Sequence, residues 1–198
     1  MMEARGLGPR GDGRSPPLRG PMKWYVLYSR PHHERAVYER LLNKVFESYL
    51  PLATVWRQSK GGPRKALAPL FPRHLFVLCH LEMDTHLELI TTPGVVRLLE
   101  DAHGQFLVVP DEEIRTLRGL CEAGIPLERA PYQLGECVEV VHGPLAGITG
   151  VIGKGRPRKL LVPMHALRQS VAVPIGRARV IPVEDAQGRL RTSHSLEG

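Results

Sequence analysis

The segment LFPRHLFVL, residues 70–78, decides how the rest of the chain is interpreted. Its second half is apolar, branched and aromatic, which is typical of a strand buried on both faces and is too short for a helix. Pro69 and Pro72 cannot donate to a sheet ladder, so the strand is expected to begin after them. Leu70 and Phe71 therefore lie in an extended lead-in, where Phe71 either packs as ordinary core or is presented to a partner.

The composition is that of an ordinary globular chain of 198 residues, 42% of them hydrophobic and 24% charged. No apolar run approaches the roughly 18 residues that span a bilayer, and the first residues are rich in arginine and proline. We therefore expect a cytoplasmic protein with neither a membrane span nor a signal peptide. The 3 cysteines are far apart, which predicts buried thiols at Cys79 and Cys137 and no disulfide or zinc site. The net charge of +7 favours a polyanionic partner.

The chain divides into two predicted folded units. The first alternates strands and helices, and the second has short strands separated by turns, a pattern typical of a small β-barrel. A basic extension with almost nothing to bury precedes them, and either a functional tail or a true start at Met22 would produce it. The predicted divisions are a disordered extension over 1–22, the first unit over 23–123, a linker over 124–133, the barrel over 134–183 and a disordered tail over 184–198.

The predicted elements follow from hydrophobic spacing and from turn residues. In the first unit, apolar side chains at three- and four-residue spacing indicate helices, and β-branched or aromatic runs indicate strands, so the fold class is α+β with an antiparallel sheet flanked by helices. Residues 60–68 are glycine-rich and basic, as in a hairpin tip. We expect strands at 24–29, 55–57, within 70–78, 95–99 and 106–109, helices at 33–47, 85–90 and 110–124, and barrel strands at 137–141, 150–152, 159–162, 170–173 and 179–181.

A glycine-centred turn in the second unit resembles the KOW motif. Gly135, Val138 and Val140 are followed by the turn Gly143–Gly147 and by Gly150, in the order and spacing of that motif. KOW motifs lie in small SH3-like barrels and occur in ribosomal proteins and other RNA-associated factors. On its own the motif therefore does not choose between those classes.

The first unit resembles the N-terminal domain of NusG. Five anchors occur in the family's order, and with the KOW segment after a linker the resemblance covers about residues 23–183. The anchors are Trp24-Tyr25-Val26, Glu34 with its amphipathic helix, Phe71-Pro72, Pro93-Gly94-Val95, and Val109-Pro110-Asp111-Glu112-Glu113-Ile114.

NusG-like proteins are transcription elongation factors and not enzymes, so the resemblance implies no cofactor and a monomer that binds RNA polymerase. Their N-terminal domain receives the polymerase clamp helices in an apolar concavity and suppresses pausing. Leu70 and Phe71 match the aromatic pair of the family's Phe-Phe-Pro step, and Pro72 matches directly. With Trp24 of the first anchor, these residues are the expected polymerase-binding site.

Two departures from the housekeeping pattern resemble specialised paralogues such as RfaH and the polysaccharide-operon antiterminators. Arg73-His74 replace a common Gly-Tyr pair, and in such paralogues basic residues also touch the non-template DNA strand. The expected nucleic-acid contacts lie at the junction of the first strand and helix. They are Arg30, His32, His33 and Arg35, for which a solvated helix start is the alternative.

The barrel of NusG-like proteins binds either the termination factor Rho or a small ribosomal subunit protein. Leu167, Arg168 and Leu145 are the residues expected to contact that partner, although Arg168-Gln169 depart from the family's Gly-Arg. Some specialised members refold this barrel into a helical hairpin. The valines over 171–173 and 138–141 favour a barrel here, because β-branched residues weaken a helix.

Two other classes of function are weighed against this one. A KOW-barrel RNA-binding protein associated with the ribosome would leave the whole first unit without a role. An enzyme or metal site has less support, because the 9 histidines show no HxxxH or HExxH spacing. His74 and His80 share one face of a predicted strand, which is more often packing than ligation.

Overall fold

The computed structural model describes residues 20–133, 135–154, 158–176 and 178–184. Most of the predicted extension over 1–22 and of the predicted tail over 184–198 lies outside the described residues. Within them the chain is a mixed α and β fold with three helices, as the sequence predicts.

The first unit is built on a five-stranded antiparallel sheet. Its strand order is β2-β5-β1-β6, with β7 also paired to β1. Two of the three helices each connect one strand of the unit to another, and the third helix follows its last strand. The elements are β1 (Lys23–Ser29), α1 (Glu34–Asn43), β2 (Glu47–Tyr49), β3 (Leu52–Ser59), β4 (Gly62–Pro69), β5 (His74–Cys79), α2 (Met83–Ile90), β6 (Val95–Leu98), β7 (Val108–Val109) and α3 (Asp111–Glu122).

Both faces of this sheet are covered, because alternate side chains of β1 and β5 point to opposite sides. On one face Leu27 and Val77 join a buried cluster with Val37 of α1. On the other face Trp24 and Phe76 join a cluster that includes Ile114, Leu117 and Leu120 of α3. The continuous apolar run of residues 75–79 follows from this burial on both sides.

The β3–β4 pair forms a two-stranded hairpin separate from the main sheet. The sequence predicted a short strand over 55–57 followed by a loop over 60–68. The predicted loop is wrong except at its first two residues. Gly62 to Pro69 instead pair with Leu52 to Ser59 over their whole length, with the turn at residues 60–61. The glycines and basic residues that suggested a loop lie only near the turn.

The predicted helix over 33–47 ends at Asn43, and residues 47–49 form strand β2 instead. The helix stops because Val45 has φ 64°, a left-handed conformation that cannot continue a right-handed helix. The backbone N–H of Phe46 donates to the carbonyl of Leu41 at 3.0 Å and closes the last turn. A valine gives no sequence signal for such a helix end, since glycine or asparagine is usual there.

The second unit is a six-stranded antiparallel sheet with the order β13-β9-β10-β11-β12-β8. The five predicted strands are present, and the sixth, β8, lies inside the predicted linker. Among the described residues no pairing joins β13 to β8, so the strands do not close into a complete barrel. The strands are β8 (Glu128–Pro131), β9 (Cys137–Val140), β10 (Thr149–Ile152), β11 (Lys159–Met164), β12 (Gln169–Pro174) and β13 (Val180–Pro182).

One buried apolar cluster contains residues of both units. It extends from Trp24 and Phe71 through α3 to Val162 and Met164 of β11. The two sheets therefore share a core instead of being separated by an exposed linker. Four of the eleven predicted site residues belong to this shared core, namely Trp24, Leu70, Phe71 and Leu145, and Leu167 packs against it.

Candidate functional site

Three of the four predicted polymerase-binding residues are buried. Trp24 and Leu70 are each 4% exposed and Phe71 is 1% exposed, whereas Pro72 is exposed. All three belong to the cluster shared by both units. The structure thus brings the predicted residues together, but in this conformation Leu70 and Phe71 present almost no surface to another protein.

An open surface depression of about 460 Å³ lies beside this cluster, lined by Met22, Trp24, Leu78 and Arg118 among others. The Arg118 guanidinium carbon lies 5.3 Å from the Trp24 ring centroid and 5.2 Å from that of Tyr49. Such cation–π contacts hold a cation over a ring face. Arg118 Nη2 also pairs with Glu47 Oε1 at 3.2 Å. The depression therefore combines an apolar floor with a fixed charged rim.

The second unit meets the first along helix α3. The backbone N–H of His165 donates to Oε1 of Glu113 at 3.1 Å. A cavity of about 150 Å³ lies beside this bond, with Thr116 on the helix side and Val162, Pro163 and Met164 on the β11 side. These contacts hold the two units in a closed arrangement.

The predicted nucleic-acid residues form an exposed group at the start of α1. Arg30, His32, His33 and Arg35 are all exposed. His32 has φ 63°, and the His33 Nδ1–H donates to the Pro31 carbonyl at 2.9 Å, which fixes the ring of His33 against the turn. The loop is thus ordered by local hydrogen bonds and leaves its charged side chains free to meet an anion.

Three residues missing from that prediction extend the same basic surface. The Arg73 guanidinium carbon lies 4.1 Å from the Tyr28 ring centroid and that of Arg97 lies 5.8 Å from it. Arg73 also donates through Nε to the Ser29 carbonyl at 3.1 Å and through its backbone N–H to Glu34 Oε1 at 2.8 Å. Tyr28, Arg73 and Arg97 lie on three different strands or loops. Only the strand register, which pairs Tyr28 with Arg97, could have identified them.

His74 is the titratable group of this region with a shifted pKa. Burial lowers the pKa of His74, and the charges of Arg129 and Arg73 lower it further. A hydrogen bond to the Pro72 carbonyl at 2.8 Å and the charge of Glu34 act in the opposite direction. Burial dominates, so the folded protein favours the neutral imidazole.

The predicted partner-binding residues of the second unit have different environments. Leu145 is 6% exposed within the shared cluster, and Leu167 is half-buried against it. Arg168 is exposed and has φ 49°. The family pattern places glycine at this position, and glycine adopts that conformation without strain.

The cysteines and histidines form no reactive or metal-binding group in the part of the chain that is described. Cys79 and Cys137 are buried, as predicted, and burial raises the pKa of the Cys79 thiol to about 11. No group of three or more potential metal ligands occurs among the described residues. In the same residues no helix is long and apolar enough to cross a membrane.

Comparison with known proteins identifies the unit that carries this surface. A family model described as "Transcription termination factor nusG" matches residues 22–118, which run from β1 into α3. The chain is NusG-like. The resemblance found in the sequence anchors is thereby confirmed for the first unit.

Curated relatives extend the similarity to the second unit. The transcription termination/antitermination protein NusG of Pseudomonas aeruginosa is 25% identical over 177 residues, covering 83% of this chain and 96% of the relative. The protein of the same description from Thermus thermophilus is 27% identical over 158 residues, covering 70% and 85%. Both are named NusG, so neither points to a specialised paralogue.

A solved structure shows the same fold. It is described as "Domain interaction in Thermotoga maritima NusG" and has a TM-score of 0.50 and 21% identity. The match covers 80% of this chain and 96% of that one. The predicted arrangement of a NusG N-terminal domain followed by a KOW domain is therefore confirmed at the level of fold.

Proposed function

We propose that this NusG-like chain is a bacterial transcription elongation and antitermination factor that binds the clamp helices of RNA polymerase. The docking surface is the α3-side face of the first sheet, with Trp24, Leu70, Phe71 and Pro72. The observation that carries this proposal is the family match over 22–118, because those residues build the face. Clamp helices are an apolar and charged partner, which suits the apolar floor and the Arg118–Glu47 rim of the adjacent depression.

Docking requires the two units to separate. Leu70 and Phe71 are nearly inaccessible in the closed arrangement, and α3 meets β11 through the Glu113–His165 hydrogen bond. A partner binds only the fraction of molecules that is open, so closure lowers the apparent affinity by that fraction.

The second unit then recruits a further partner, either Rho or a small ribosomal subunit protein, through Leu145, Leu167 and Arg168. The left-handed backbone of Arg168 supports this assignment, because it keeps the loop shape that glycine gives in the family. These partners would place the protein in the cytoplasm in a non-enzymatic role. A specialised rather than a general factor is proposed on Arg73-His74 and Arg168-Gln169 alone.

The exposed residues Arg30, His32, His33 and Arg35 are proposed to touch the non-template DNA strand of the elongating complex. Their support is their exposure at the start of α1, together with Arg73 and Arg97, which both lie near the Tyr28 ring on the adjoining strand. Phosphate contacts from such a surface weaken as salt concentration rises.

The test is transcription elongation in vitro by RNA polymerase from the same source. Wild type is compared with Phe71→Ala and with Phe106→Ala, which truncates a half-buried phenylalanine on the opposite face of the sheet. Each variant is used at equal folded concentration, because truncating a buried phenylalanine costs about 3–5 kcal/mol. We expect wild type and Phe106→Ala to shorten pauses and Phe71→Ala to have little effect. Equal activity of Phe71→Ala and wild type would overturn the docking assignment.

A further inference from the structure

The β3–β4 hairpin forms a two-stranded sheet of its own, separate from the main sheet of the first unit. Its strands pair with each other and, among the described residues, with no other strand. Each strand has eight residues, so the ribbon is about 27 Å long. Of the hairpin side chains that are described, only Ala53 and Ala68 at its base are buried. The described side chains of the distal half are therefore not part of the core.

The hairpin is strongly basic. Residues 48–81 contain five lysines and arginines and no aspartate or glutamate. Lys60, Arg64 and Lys65, around the turn, are exposed. Neither Lys60 nor Arg64 takes part in an ion pair within the described residues. The positive charges of Lys60 and Arg64 are thus not neutralised by an ion pair within the described residues.

The charges are placed on both sides of the ribbon. Arg64 and Lys65 are neighbours on β4, so they belong to opposite faces. The register pairs Arg64 with position 57, which is also arginine. A ribbon with cations on both faces suits a groove that has phosphates on both walls.

We propose that this hairpin binds double-stranded DNA by entering its major groove. That groove is about 12 Å wide and admits a two-stranded ribbon. The major groove of A-form RNA is deep and too narrow for such an element. Binding of single strands relies on several aromatic platforms, whereas the hairpin sequence has one aromatic residue, Trp56. The contacts are to phosphates, so the binding carries no sequence preference of its own.

The test measures binding of the full chain to a fluorescent duplex of about 20 bp as NaCl is raised from about 50 to 200 mM. The hairpin variant is Lys60→Gln with Arg64→Gln and Lys65→Gln. The matched control removes the same charge from exposed positions of the second unit, through Lys154→Gln, Arg158→Gln and Arg179→Gln. Circular dichroism confirms that both variants are folded. RNA polymerase is absent, so the result does not depend on the proposed docking to polymerase.

Wild type is expected to bind with an affinity that falls as salt rises. The hairpin variant should bind more weakly, and its slope of log affinity against log salt should be shallower by about 2.7, or about 0.9 for each lost phosphate contact. The control should keep most of the slope. Equal slopes for the two variants would overturn the proposal. Equal or tighter binding to an RNA duplex or to single-stranded DNA would also overturn it.

Discussion

The end of helix α1 shows how one residue sets a local structure at a cost. Val45 is β-branched, 91% exposed and held at φ 64°. The left-handed conformation costs a side-chain-bearing residue about 1–2 kcal/mol, and glycine avoids that cost. Val45 is too exposed for packing to compensate, so the sequence is locally strained at this position.

Val45→Gly is therefore expected to raise the free energy of unfolding by about 1 kcal/mol, or roughly 2–4 °C in Tm. The neighbouring variant Asn43→Gly, which lies inside the helix, should lower it by up to about 1 kcal/mol. Thermal and urea unfolding measure both changes. A loss of stability in Val45→Gly would mean that the turn does not adopt this conformation in solution.

A second effect at this scale is the pH dependence caused by His74. Its pKa is lowered in the folded protein, so the unfolded chain binds more protons below the ordinary histidine pKa of about 6.5. The contribution of His74 to stability is complete above that value and is lost as the pH falls below it. Urea midpoints of wild type should fall from pH 7 to pH 5.

His74→Asn should make this decrease smaller, because the asparagine has no proton to gain in that range. The same substitution at an exposed position, His103→Asn, is measured beside it as a control for the change of side chain. Identical profiles for wild type and His74→Asn would show that the imidazole is not held neutral.

At the scale of elements, the contact between α1 and the turn before β6 depends on a glycine. Gly94 has φ 97°, and a Cβ atom there would lie 2.8 Å from Cγ2 of Val37. Arg40 also donates to the Pro93 carbonyl at 2.8 Å, so the helix is fixed to this turn on its outer side. Glycine is thus required within the Pro93-Gly94-Val95 anchor because a larger residue would clash with Val37.

Gly94→Ala is expected to destabilise the chain by about 2–4 kcal/mol, from backbone strain and the clash together. Gly104 provides a matched control, because it has φ 75° and a Cβ atom added there would have no neighbouring atom within 4 Å. Gly104→Ala should cost only the strain, about 1 kcal/mol. The difference between the two variants in chemical denaturation isolates the clash. Equal losses would show that Val37 moves aside freely.

Hydrophobic spacing predicts most of the elements but not how they associate. The runs at 24–29 and 75–79 are apolar because both faces of their strands are covered, and this signal is local. Strand β2 has only three residues, and β8 begins with an exposed glutamate followed by an exposed arginine. Neither therefore shows the hydrophobic pattern of a strand. Both exist because a longer neighbour, β5 or β12, offers a free edge. Such pairing is tertiary and leaves no mark in the local sequence.

The sequence indicates which residues make up the candidate site, but not whether their side chains are exposed. The sequence draws attention to Phe71 by its position between two prolines, and the first of the two alternatives, packing as core, describes the closed chain. The burial arises from a shared core with β11, more than 80 residues away in the sequence. Tyr28, Arg73 and Arg97 were missed for the same reason, since strand pairing brings them together.

At the scale of the whole molecule, the contact between α3 and β11 sets whether the docking face is available. Thr116 lies at that contact, half-buried beside the cavity lined by Val162 and Met164. Thr116→Arg places a much larger side chain there and should favour separation, because overpacking a buried contact is destabilising. Thr116→Val keeps the volume and leaves the contact closed.

The most direct measurement is the affinity of purified RNA polymerase for the full chain, by biolayer interferometry. We expect Thr116→Arg to bind at least about tenfold more tightly than wild type and Thr116→Val to bind like wild type. Adding Phe71→Ala to Thr116→Arg should abolish the gain, because the opened chain would then lack the central aromatic of the docking face. Tight binding by the double variant, or no binding by any form, would contradict the account of a NusG-like factor that docks through this face.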